Sequence, residues 1–94
     1  TLAEFKESVQ QSAPPSNLPV LLQALWHDAK GQWDIAHQLA QEVETSQGSW
    51  IHAYLHRKEG DLGNAAYWYH EAKQPVCNKR LTEEWEEIAI VLLR

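Results

Sequence analysis

Cysteine is nearly missing from this chain: Cys77 is the only one among 94 residues. One thiol cannot close an internal disulfide, and a secreted domain of this size normally relies on several. A reducing, cytoplasmic setting is therefore expected. Methionine is absent altogether, which suggests a processed or trimmed start. Glycine is scarce, and Gly60 and Gly63 alone do not make a phosphate-cradling loop. No apolar run approaches the roughly 20 residues of a membrane-spanning helix, and no signal peptide is visible. Cations are few as well: eight Lys and Arg against thirteen Asp and Glu give a formal charge of −5. Nonspecific nucleic-acid binding needs clustered cations to displace counterions, and so does an anionic lipid surface. Neither nucleic acid nor membrane is expected as a partner.

What the chain does have is helical periodicity and aromatic bulk, with five Trp and three Tyr. Leu2, Phe5 and Val9 mark a short helix within residues 1–17, followed by the connector Ser12-Ala-Pro-Pro-Ser-Asn17, whose paired prolines forbid helix. Asn17 is placed to cap a helix carrying Leu18, Leu21, Leu22, Leu25 and Ala29 on one stripe. Gly31 ends it. The next stripe runs through Ile35, Ala36, Leu39, Ala40 and Val43, with Trp33 packing back on the preceding helix. These two helices make a first hairpin, residues 18–45.

Residues 48–75 form a second hairpin. Its stripes are Ile51, Tyr54, Leu55, then Leu62, Ala65, Ala66, Tyr69, Ala72. Gly60 between them can take the left-handed conformation that ends a helix, and Asp61 can cap the next. Pro75 stops it. Residues 82–94 predict a closing helix with Glu83 and Glu84 at its positive end and an apolar run from Ile88 to Leu93. No stretch alternates like a strand. The expectation is a single all-α domain of two stacked hairpins, an N-terminal helix and a C-terminal capping helix. That apolar run sweeps the whole helix, so Ile90 or Leu93 is expected to pack against a second copy of the chain.

The two hairpins resemble each other without gaps, Gly31 aligning with Gly60, 29 residues on. Ala24 then meets Ala53, His27 meets His56, Ala36 meets Ala65 and Glu42 meets Glu71. The second copy, with Ala53, Gly60-Asp61, Ala65, Tyr69 and Ala72, resembles a tetratricopeptide repeat. The resemblance implies stacked hairpins whose inner side is lined by the first helix of each pair and binds proteins or peptides. Carried onto this chain, that side presents Trp50, Tyr54, Arg57 and Lys58, two aromatic anchors beside two cations, suited to a segment bearing carboxylates. The implied function is a noncatalytic protein–protein interaction module without a cofactor.

Other constellations point elsewhere. His52 and His56 stand at i, i+4 on one helix face, with Glu59 at i+7, so the three can form a metal-ligand set. That makes a small metal- or ligand-binding protein the alternative function. Against it, His52 reads as a surface residue and His56 as a half-buried one between helices. His/Asp pairs occur around Trp26-His27-Asp28 and Trp33 to His37, but no serine sits in a nucleophile turn and Cys77 is a lone loop thiol, so no enzyme is expected. Glu83, Glu84, Glu86 and Glu87 read as a solvated helix face.

Overall fold

A computed structural model describes all 94 residues and is entirely helical: α1 (Leu2–Ser8), α2 (Val20–Ala29), α3 (Trp33–Gln41), α4 (Ser46–Glu59), α5 (Leu62–Ala72) and α6 (Leu81–Leu92). No helix is long and apolar enough to cross a membrane. Local chemistry sets most boundaries. Thr1 and Glu4 form a reciprocal capping box on α1. The Thr45 hydroxyl accepts the Gly48 N–H at 3.1 Å to open α4. Gly60 ends α4 at φ 92°, and the Asp61 carboxylate then accepts from Asn64 N–H to open α5. The start of α2 differs from expectation. Asn17 does not cap it but turns the chain at φ 64°, and Pro19 takes the N-cap position. Leu18 precedes a proline, which bars it from the helical region, so the helix begins only at Val20.

The helix α4 is the centre of the molecule. It packs against α2, α3, α5 and α6, and every residue from Ile51 to His56 is buried. Consecutive helical residues turn by about 100°, so a buried run of this kind requires neighbours on all sides. The two hairpins, α2–α3 and α4–α5, lie against each other through α3 and α4. Ala36, Ala53 and Ala65 are buried, Ala53 and Ala65 together with Tyr69 in the small cluster between α4 and α5.

The closing helix departs from the expected cap. Instead of lying beside α5, α6 packs on α4, α2 and α1, so it covers the face lined by the first helix of each hairpin. Phe5 stacks on Trp85, with ring centroids 5.5 Å apart, and Trp85 Nε1–H donates to the Leu25 carbonyl at 3.0 Å. The apolar end of α6 is mostly absorbed there: Ile88 and Ala89 are buried, Leu92 and Leu93 pack on the core, and Ile90 is left 42% exposed. In turn α5 packs chiefly on α4, with its Tyr69 hydroxyl reaching Glu84 of α6. A helix with one main neighbour buries only a narrow stripe, here Ala65, Tyr69 and Ala72, and Leu62, expected inside, is 67% exposed. Ile35 of α3 is likewise outside the core.

Candidate functional site

The helical period that places His52 and His56 on one face of α4 turns that face toward α3, and α3 brings His37 to meet it. Nε2 of His37 and Nε2 of His52 are 2.9 Å apart. The rings of His52 and His56 stack at 4.8 Å, and His37 meets both edge-on. One ring nitrogen from each of the three lies within 4.8 Å of the others. His52 and His56 are only 6% and 7% exposed, so His52 is not the surface residue that its position suggests.

Aromatic rings hold the cluster at both ends. Trp33, one turn before His37 on α3, stacks on that imidazole at 4.9 Å and 9°. Its Nε1–H donates to the Leu55 carbonyl at 2.8 Å, which ties α3 forward to α4. Trp68 of α5 stacks on His52 at 3.9 Å and 12°, and Tyr67 meets Trp68 edge-on.

Hydrogen bonding specifies the tautomer of His56. Its Nδ1 lies 2.6 Å from Glu59 Oε2. A carboxylate only accepts, so Nδ1 carries the proton. The Asn64 amide donates toward Nε2 at 3.3 Å, a long hydrogen bond on that nitrogen's lone pair that a metal ion would displace. Glu59 therefore reaches the cluster as an orienting group behind His56, the relation carboxylates hold to metal-bound histidines. A second grouping of His56 with Glu59 and Asp61 lies at the open end of α4, where Asp61 is occupied as a helix cap.

Burial keeps two of the imidazoles neutral. It pushes His52 down to about 4, helped by the adjacent His37 and His56. The same cause, helped by the neighbouring His56, lowers His37, against weaker opposing effects of Glu59 and Asp34. Neutral imidazole is the form that donates a lone pair to a metal.

Trp50, Tyr54, Arg57 and Lys58 come together differently from the open face that the repeat resemblance implies: α6 and α2 cover Trp50, Tyr54 and Arg57 in part or wholly, and Lys58 stays at the surface with its ammonium on Asp28. Glu84 of α6, 1% exposed, accepts from Arg57 Nη1 at 3.0 Å, Trp50 Nε1 at 3.3 Å and the Tyr69 hydroxyl at 2.6 and 2.8 Å. Arg57 Nη2 donates to the Lys79 carbonyl. The buried Asp28 of α2 accepts from the Tyr54 hydroxyl at 2.7 Å and from Lys58 Nζ at 2.9 Å. Burial and these carboxylates hold both phenols well above the usual tyrosine range. So α4's aromatic and basic groups spend their donors inside the molecule, and Glu84 is no solvated residue.

The signals for these partners lie in register rather than in motif. Glu84 sits one turn before Ile88, and Asp28 one turn after Ala24, each on the apolar stripe of its helix. A carboxylate there must find buried donors. Trp33 and His37 share the i, i+4 spacing of facing side chains. Comparison with known proteins adds no relative: no family model matches the chain, and no curated protein or solved structure does.

Proposed function

We propose that this is a small metal-binding protein, holding one divalent transition-metal ion between its two hairpins through His37, His52 and His56. The observation that supports this is the convergence of three imidazole nitrogens within 4.8 Å. Two nitrogens bound to one zinc at tetrahedral geometry stand about 3.3 Å apart, so modest ring rotations complete the set. Imidazole suits zinc, copper and nickel and is a poor ligand for calcium or magnesium. The stacked Trp rings and Glu59 fix ring orientations as outer groups do in metal centres. The site resembles the sequence-level set of His52, His56 and Glu59, with His37 in place of the carboxylate, which moves to the outer position.

Titration of metal-free protein with zinc, read by equilibrium dialysis, tests the proposal. The expected result is one ion per chain, with affinity lowered at least tenfold in His37→Ala and in His52→Ala and unchanged in His70→Ala, whose imidazole is exposed on α5. Equal uptake by all four proteins would reject the three-histidine site.

A second reading, a noncatalytic module binding a protein or peptide, draws support from the outer side of α5, where Leu62 and Tyr67 are both exposed beside Ala66. On the face of Trp50, Tyr54, Arg57 and Lys58, Trp50 and Arg57 lie under α6, while Tyr54 and Lys58 line a cleft of about 520 Å³ beside α1 and α6.

A further inference from the structure

One member of the three-histidine cluster, His52, reaches an open cleft. His52 and Trp68 line this cleft of about 560 Å³, bounded by the α3–α4 turn, the first turn of α4 and the end of α5. That is the size of a small-molecule site. Three protein nitrogens leave a tetrahedral ion with one position to fill, the arrangement of metal centres that admit an exogenous ligand. Resting on the metal-binding reading above, we infer that the ion's fourth ligand is an oxyanion, a carboxylate or phosphate group of a small molecule, that enters through this cleft.

The charges along the cleft support the inference. Its ionisable side chains, apart from His52, are Glu44, Glu71 and Lys73, which sum to one negative charge and disfavour an anion. A divalent ion on neutral imidazoles reverses that to one positive charge, so anion binding becomes conditional on metal. Lys73 is the cleft's one cation and stands outside every ion pair of the chain. It holds the left-handed position at the end of α5, with φ 59°. Ser46 and Ser49 line the same cleft, at the N-terminal, positive end of the α4 dipole. The anion therefore has the metal on one side and donors on the other.

Cobalt(II) substituted for the native ion gives visible bands that change with its ligands, so one spectrum reports both steps. The full chain is titrated first with cobalt in an anion-poor buffer, then with inorganic phosphate and, separately, with acetate. The expected result is a saturable spectral change with one anion or both, the arms showing which head group the cleft prefers. Lys73→Gln should weaken that step roughly tenfold, as loss of a charge-assisted hydrogen bond does, and leave cobalt affinity within twofold. Cobalt bound through the histidines with no response to either anion would overturn this inference and leave the metal site standing. So would a Lys73→Gln protein with unaltered anion affinity. A chain that takes up no cobalt, while His37→Ala and His52→Ala behave identically, would overturn both.

Discussion

Glu84 and Glu86 are two residues apart on α6, yet their removal should cost very different amounts. Glu84 is the common acceptor for Arg57, Trp50 and Tyr69 in a dry setting. Truncating one member of a buried ion pair strands the other and typically costs about 3–5 kcal/mol. Glu86 pairs with Lys6 at 2.8 Å on the surface, where such pairs contribute about 0–1 kcal/mol. Urea denaturation should thus show a large fall in midpoint for Glu84→Ala and almost none for Glu86→Ala; equal shifts would contradict the buried network. His52 has a pH signature of its own. In the unfolded chain imidazole titrates near 6.5, and in the fold this one is pushed down to about 4. Between those values the unfolded state binds more protons, so the stability tied to neutral His52 is complete above pH 6.5 and drains away as pH falls toward 4. His37 acts in the same direction. Thermal midpoints measured from pH 7 to 4.5 should fall, and His52→Gln should flatten that fall; an unchanged slope in the variant would count against the burial of this ring.

At the scale of helices and turns, the second hairpin is legible in sequence because its determinants are neighbours: Gly60, Asp61 and the stripe of Ala65, Tyr69 and Ala72 act within a few residues of one another. Gly60 at φ 92° has open space around its Cα, so Gly60→Ala should cost about 1 kcal/mol from backbone strain alone. Gly48 differs: a Cβ there would run into the Val43 carbonyl, so Gly48→Ala must displace the α3–α4 turn and should lower the melting temperature further than Gly60→Ala does. The reverse order would mean that the turn gives way easily. The path of α6 is not legible in the same way. Its docking rests on Trp85 reaching Leu25 and Glu84 reaching Arg57, pairs 60 and 27 residues apart, and an apolar stripe records that a helix is buried but not against what. The candidate site divides along the same line. His52 and His56 are visible as an i, i+4 pair, whereas His37 joins them only through the packing of α3 on α4, which no local spacing encodes.

For the molecule as a whole, the docking of α6 bears on its partners. Ile90 alone among the last apolar residues remains substantially exposed, and one such side chain contributes about 1.5–3 kcal/mol on burial. A dimer at micromolar concentration needs about 8 kcal/mol, so a second copy seated on α6 would have to recruit further surface, such as the groove between Val20, Val43 and Leu92. Sedimentation at micromolar concentration should give a mass near 10.8 kDa; twice that mass would show that a second copy packs on the chain. The same docking sets an order of events during synthesis. Until Glu84 has been made and released from the ribosome, Arg57, Trp50 and Tyr69 lack the shared acceptor that they bond in the finished fold. Before α6 docks, the chain would therefore hold the histidines of α3 and α4 near one another while its centre stays loose, and the arrival of α6 would convert a collapsed chain into a finished one.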